Sequence, residues 1–237
     1  MNLLLIRHAQ SANNLLYAET GSSEGRHPDP PLTDLGHAQA AALAQFACSD
    51  ATFGRVTHLY SSLMRRSVQT AAPLAQALGL PVQGLALAHE AGGIFGKDEA
   101  GERQALAGAA HADLLADNPA LLWPPELDMQ EPWAGGFEHY ADDDRVLQQR
   151  AAALLRQLRG HHAPAGEAGE TVALVTHGHF TQYLLREVTG HGSAYFRVFN
   201  TATTLLTLHG PETPAEWGPL VVWVNRFDHL APEQVSV

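Results

Sequence analysis

A chain of 237 residues, 45% hydrophobic and 16% charged, can bury the core of one α/β domain with or without a large insertion, and its composition is globular rather than disordered. The formal net charge of −11 argues against nucleic acid or an anionic membrane as the main partner, so an anionic substrate must be held by a local concentration of Arg and His. The single cysteine, Cys48, excludes an internal disulfide and any multi-cysteine metal site. The longest apolar runs, such as 3–6 and 220–224, fall far short of the ~20 residues of a membrane-spanning helix, and no basic leader precedes Asn2, so the expected location is the cytoplasm.

Residues 2–6 form a short, continuous apolar run, as in a strand buried on both faces, and end abruptly in Arg7-His8. The Gly/Pro/charged stretch 21–31 reads as loop. Thr33 is a good N-cap, and Leu35, Ala38, Ala42 and Phe46 then recur at helical spacing. A second strand fits 58–61, followed by a helix over 67–78 that is closed by Gly79 and Pro81, with Pro73 as a start or kink.

Residues 95–136 lack a clean period and read as a cap or insertion over the main sheet of a single domain spanning 1–237. An amphipathic helix from about Asp142 to Arg159 buries Leu147, Ala151, Leu154, Leu155 and Leu158. The linker 161–169 leads to a second fully buried strand, 172–175, which ends in Thr176-His177-Gly178 before a helix over 180–188. Strands at 205–208 and 221–224 complete the sheet. Strands alternating with helices imply a three-layer α/β sandwich with a mainly parallel central sheet flanked by helices.

Ligands of such sheets sit beyond the carboxyl ends of the strands, where His8 and His177 both fall. Either histidine could be a strand-end residue bonded to backbone, and Arg65 and Arg66 could be solvated helix-start charges. Arg7, however, needs an anionic partner at the edge of a buried strand. Arg66 opens a helix at the same edge, where a helix N-terminus favours an anion. These coincidences together point to one anion site. Most of the fourteen histidines read as surface or loop residues, His161-His162 among them. No His-Glu-x-x-His helix or carboxylate cluster accompanies them, so no metal is expected.

Leu5-Ile-Arg-His-Ala-Gln-Ser-Ala-Asn-Asn14 resembles the signature R-H-G-x-T-x-x-N of the histidine phosphatase superfamily, the phosphoglycerate mutase-like proteins of branch 1. Ala9 and Ser11 replace the glycine and threonine, and Asn14 stands in the asparagine place. Leu32-Thr-Asp-Leu-Gly-His-Ala-Gln39 resembles L-T-x-x-G-x-x-Q. Ser62-Leu-Met-Arg-Arg-Ser-Val-Gln-Thr70 resembles S-P-L-x-R-A-x-Q-T, which assigns the family arginine to Arg66. His89-Glu90 falls where members carry their acid, and Val175-Thr-His-Gly178 matches the second histidine motif. The resemblance covers residues 2 to about 208 and is weakest over 95–136.

The resemblance implies a phosphoglycerate mutase-like fold and a phosphohistidine intermediate on His8. Arg7, Arg66 and His177 would clamp the phosphoryl oxygens, with Asn14 and Ser11 as neutral donors. Glu90 would protonate the leaving oxygen and then accept a proton from water. Neither cofactor nor metal is required. The partners would be a small phosphorylated substrate and the inorganic phosphate released from it.

Phosphatases and mutases share this site. Between Ala91 and Arg145 three basic residues face twelve acidic ones, and the mutase pattern R-R-S-Y…P-P-P is missing from that stretch. An acidic cap suits a monophosphate with a neutral or cationic remainder, so a phosphatase is expected. The alternatives are a cofactor-dependent phosphoglycerate mutase, a phosphohistidine or phosphoprotein phosphatase, and a non-catalytic phosphate-binding member.

Overall fold

The computed structural model describes residues 1–138, 144–162, 170–209 and 218–237. Its strands are β1 (Asn2–Arg7), β2 (Val56–Ser61), β3 (Val82–Gly84), β4 (Phe95–Lys97), β5 (Arg103–Ala105), β6 (Leu121–Leu122), β7 (Thr171–Thr176), β8 (Thr203–Thr207) and β9 (Leu220–Arg226). Its helices are α1 (Ala12–Thr20), α2 (Asp34–Ala47), α3 (Arg65–Leu78), α4 (His111–Asp117), α5 (Asp144–His161) and α6 (Gly178–Thr189). Seven strands form one sheet in the order β6-β3-β2-β7-β1-β8-β9. The first five run parallel, and β8 and β9 join through antiparallel pairings.

Successive side chains of a strand face opposite sides of the sheet, which sorts the apolar runs of β1 and β7 into two cores. Leu3, Leu5, Val172 and Leu174 pack with Leu147, Ala151, Leu154 and Leu158 of α5 and Phe180 and Leu184 of α6. Leu4, Ile6, Ala173 and Val175 pack with Leu43 and Ala47 of α2 and Val68, Ala71 and Leu74 of α3. All these side chains are buried. Truncating one of the leucines to alanine costs about 2–5 kcal/mol. The result is a three-layer α/β sandwich.

Several elements differ from the sequence reading. α2 is capped by Thr33, whose hydroxyl accepts the Gly36 N–H at 3.0 Å, but its inward face holds Gly36, Gln39, Ala40, Leu43, Ala44 and Ala47. Ala38 is exposed, so the buried stripe is rotated from the expected Leu35/Ala38/Ala42/Phe46 face. The inward polar positions do specific work: a Cβ on Gly36 would lie 2.1 Å from the Gln10 carbonyl oxygen. α3 begins at Arg65 and runs through Pro73. The 95–136 stretch is not purely a cap, because β6 pairs with β3 at the edge of the main sheet. The expected start of α5 near Asp142 and most of the linker 161–169 lie outside the described residues.

His162 is a correction. It was expected on the surface, yet it is buried at the end of α5, its Nδ1 2.8 Å from Glu170 Oε2 and its Nε2 2.9 Å from the Tyr60 hydroxyl. With His58 it forms a His-His-Glu group whose ligand atoms lie within 4.8 Å of one another. The group sits where β2 and β7 begin, at the edge opposite the strand ends that carry His8 and His177. Among the described residues no helix is long and apolar enough to cross a membrane.

Candidate active site

The register of the central strands brings the site together. Arg7 pairs with Thr176 and Ser61 with Val175, so His8, His177 and Ser62 emerge side by side at the carboxyl edge. The His8 and His177 rings stand 5.1 Å apart, and both are buried. Arg66, in the first turn of α3, is brought to the same edge, with its Nε 3.2 Å from His8 Nε2.

His8 is held in one tautomer. Its Nδ1 lies 2.7 Å from the Ala9 carbonyl oxygen, which can only accept, so Nδ1 carries the proton and Nε2 keeps its lone pair. Burial, then the charges of Arg66 and Arg7, hold its pKa well below the usual histidine value, so the ring is neutral. His177 is neutral for the same first reason, with Arg66 adding to it. Its Nε2 meets the hydroxyls of Ser62 at 2.9 Å and Ser67 at 3.3 Å, whereas its buried Nδ1 has no partner among the described residues.

Arg7 donates through one terminal nitrogen to the Val198 carbonyl at 2.6 Å, and its buried Nε has no partner among the described residues. The guanidinium lies against the backbone of Gly178, where a Cβ would come within 3.0 Å of Nε; hence a glycine after His177. Burial lowers the Arg7 pKa to about 10, Glu90 opposing this and Arg66 adding to it. Burial also lowers the Arg66 pKa, while Asp29, 3.7 Å from its Nη1, and Glu90 support its charge. Arg65 points elsewhere: it pairs with Asp117 at 2.7 Å, partly exposed.

Glu90 is anchored at the start of α6. Its Oε1 accepts the N–H groups of Ala91 and Phe180, each at 2.8 Å, and its Oε2 accepts that of His179 at 3.3 Å. A carboxylate is favoured at a helix N-terminus by the exposed N–H groups there. Glu90 also lines, with Arg7, Gln182, Tyr195 and Arg197, a cavity of about 240 Å³. Ser11 and Asn14 form a capping box for α1: the Ser11 hydroxyl donates to Asn14 Oδ1 at 2.9 Å and accepts the Asn14 N–H at 3.4 Å. That leaves the Asn14 amide NH2 as its remaining donor.

The sequence reading missed the groups that hold the nucleophile's backbone. Asn200 donates to the His8 carbonyl at 2.9 Å, and Thr201, at φ 57°, donates its N–H to the Arg7 carbonyl. Gln39 accepts the Gln10 N–H at 2.8 Å while donating to the Gln234 carbonyl and the Ser236 hydroxyl. Ser62 and Ser67 lay within the quoted arginine motif and could have been found there. Nothing in the sequence marks Asn200.

Outside the motif segments, the Arg26 guanidinium lies 3.8 Å from the centre of the Phe95 ring, with Arg103 on the same ring at 4.5 Å. Glu99, Glu102, Glu126, Asp128 and Glu131 are all exposed. Much of the acidity of the 91–145 stretch is therefore solvent-exposed.

The profile of the histidine phosphatase superfamily (branch 1) matches residues 3–216, and the chain belongs to that superfamily. It is a phosphatase-family enzyme with the three-layer fold of that group. Among solved structures, it is similar to phosphoserine phosphatase from Entamoeba histolytica in complex with 3-phosphoglyceric acid: 20% identity over 97% of this chain and 99% of that one, TM-score 0.61. It is also similar to a mycobacterial glucosyl-3-phosphoglycerate phosphatase complexed with VO3 (22%, 95% and 99%, TM-score 0.59). A putative α-ribazole-5′-P phosphatase from Escherichia coli K-12 is a third (18%, 98% and 100%, TM-score 0.59). At these identities the likeness is one of fold. No curated protein sequence matches the chain.

Proposed function

We propose that this chain is a metal-independent phosphomonoester hydrolase that acts through a phosphohistidine on a small phosphorylated metabolite. The observation that carries the reading is His8: a neutral imidazole, its Nδ1–H fixed on Ala9, presenting Nε2 within a buried cluster of Arg7, Arg66 and His177. Phosphoryl transfer needs positioning and charge stabilisation more than covalent chemistry from the protein. The two guanidiniums offer forked donors that match phosphoryl oxygens, the role a metal would otherwise fill.

In the first step the His8 Nε2 lone pair forms a bond to phosphorus and the ester P–O bond breaks. The departing oxygen takes a proton from Glu90, carried on Oε2, whose single backbone contact is the longer one. In the second step water attacks phosphorus, Glu90 takes its proton, the P–N bond breaks, and inorganic phosphate leaves. His177 would donate through Nδ1 to a phosphoryl oxygen, with Nε2 turned to the two serine hydroxyls.

The missing R-R-S-Y…P-P-P pattern favours hydrolysis over phosphoglycerate mutation. The structural neighbours named as phosphoserine, glucosyl-3-phosphoglycerate and ribazole-phosphate phosphatases support a small metabolite as substrate. The test is turnover of p-nitrophenyl phosphate and a phosphometabolite panel by purified protein. Hydrolysis that His8→Ala abolishes is the expected result; activity retained in that variant, or no turnover of any ester, would overturn the reading.

A further inference from the structure

The His58/His162/Glu170 group lies where β2 and β7 begin, at the sheet edge opposite the phosphoryl site. The strand register explains why its members meet. His58 pairs with Val172 and Tyr60 with Leu174, and paired residues of neighbouring strands face the same side of a sheet. Tyr60, Val172 and Leu174 belong to the core that α5 covers, so His58, two residues before Tyr60, is turned to that layer as well. Glu170 immediately precedes β7, and His162, the first residue after α5, is buried over them. The two imidazole rings stand 4.4 Å apart.

Hydrogen bonds decide which ring nitrogens are on offer. The Thr57 hydroxyl donates to the Thr171 carbonyl at 3.2 Å, so its oxygen accepts from His58 Nδ1 at 3.0 Å, which leaves the lone pair on Nε2. His162 rests its Nε2 on the Tyr60 hydroxyl at 2.9 Å and turns Nδ1 to Glu170 Oε2 at 2.8 Å. Metal-bound histidines hold their other nitrogen on an oxygen in this way, which fixes the ring and its tautomer. Two nitrogens and a carboxylate are a zinc donor set, with water in the fourth position. Bonds of about 2.0–2.2 Å place tetrahedral ligand atoms about 3.4 Å apart. The present separations, all within 4.8 Å, close to that value by rotation of His58 and Glu170, which are only half-buried, around the anchored His162. The Glu170 side chain is 31% exposed, which gives an ion its way in from solvent.

We propose that His58 Nε2, His162 Nδ1 and a Glu170 oxygen form a zinc site that ties β2, the end of α5 and the start of β7 together. Without the ion, His162 Nδ1–H donates to Glu170 and the Tyr60 hydroxyl donates to Nε2. With it, the ring proton resides on Nε2 and is donated to the Tyr60 oxygen, the hydroxyl hydrogen swinging away. The site is structural: it lies across the sheet from His8 and takes no part in phosphoryl transfer, so it stands or falls apart from the phosphatase reading. Its ligands are brought together only by folding, so the ion binds the folded chain and stabilises it.

The test titrates untagged, metal-stripped protein with zinc against a chromophoric chelator, and with cobalt(II), whose visible bands are strong in four-coordinate sites and weak in six-coordinate ones. The expected result is one tightly bound equivalent and a four-coordinate cobalt spectrum. Zinc at a hundredfold excess over Kd should raise the Tm by about 5–10 °C, with turnover of p-nitrophenyl phosphate at room temperature unchanged. His58→Gln should cost about 100-fold or more in zinc affinity, beyond the 10- to 100-fold loss expected of Tyr60→Phe, which removes only a supporting oxygen. Zinc held equally well by wild type and His58→Gln, as scattered surface histidines would hold it, overturns the proposal, and so does a Tm that zinc leaves unmoved. Should His58→Gln not fold, modification of the wild type by diethyl pyrocarbonate decides: zinc should protect His58 and His162, and equal modification with and without zinc counts against the site.

Discussion

Arg66 and His8 are hydrogen-bonded through Nε to Nε2 at 3.2 Å, so the free protein occupies the lone pair of its own nucleophile. The bond must open when a phosphoryl group arrives, and the guanidinium then turns its donors to the phosphoryl oxygens while Nε2 faces phosphorus. Arg66→Ala should cost about 10²–10³ in kcat, the usual loss for a preorganised donor to developing charge. Arg65→Ala should cost little, since that side chain pairs with Asp117 at a partly exposed position. Steady-state kinetics on both variants would settle it; the reverse ranking would show that the wrong arginine had been assigned.

The covalent intermediate is directly observable. Rapid quench with labelled ester should trap a phosphoenzyme that is labile in acid and stable in base, as phosphoramidates are. Trapping and turnover should both vanish in His8→Ala, and an adduct persisting in that variant would place the nucleophile elsewhere.

Glu90→Gln should retain an oxygen for the Ala91 and Phe180 N–H groups and so should keep the fold. Its effect should depend on the leaving group. Single-turnover phosphorylation by an alkyl phosphate should slow about 10²–10⁴-fold, whereas p-nitrophenyl phosphate, whose leaving oxygen departs unaided, should suffer far less. Its slowed second step should then give a burst of nitrophenol. Equal losses on both esters would reduce Glu90 to a positioning residue at the start of α6.

Chelators should leave turnover intact, while vanadate, which can imitate five-coordinate phosphorus, should inhibit tightly. Activity lost on chelation and restored by zinc would contradict this. The His58/His162/Glu170 group is at the far edge of the sheet and offers such a metal no route into the step.

Acid should destabilise the protein through its buried histidines. Burial is the first cause that holds His8 and His177 well below the usual value, His89 at about 3 and His229 at about 4. Below pH 6.5 the unfolded chain binds more protons at these sites than the folded one. Their contribution is therefore complete above pH 6.5 and is lost as the pH falls toward 3–4. Thermal unfolding across that window should show a falling Tm, with a shallower slope in His229→Gln. A flat profile would mean these rings are hydrated in solution.

The sheet and the two histidines were legible because β1 and β7 are buried on both faces and so read as unbroken apolar runs ending in Arg7-His8 and Thr176-His177. Other elements were not. α2 turns Gly36 and Gln39 inward for close approach and hydrogen bonding, so hydrophobic periodicity selected the wrong face. β3 has three residues, too few to show a period, and α1 buries none of its residues fully. Asn200 and Thr201 act through backbone contacts that depend on how distant segments fold together.

The Asn200 contact to the His8 carbonyl joins residues 192 positions apart, and the Arg7 contact to Val198 joins residues 191 apart. β1 lies in the interior of the sheet, yet both of its neighbours, β7 (Thr171–Thr176) and β8 (Thr203–Thr207), lie far along the chain. During synthesis β1 thus leaves the ribosome with its edges unpaired and its apolar faces bare until β7 and β8 have followed. Closing such long loops makes non-local sheets slow to form. The nucleophile that follows β1 should therefore reach its working position only after β7 and β8 have been made, far later than its own synthesis.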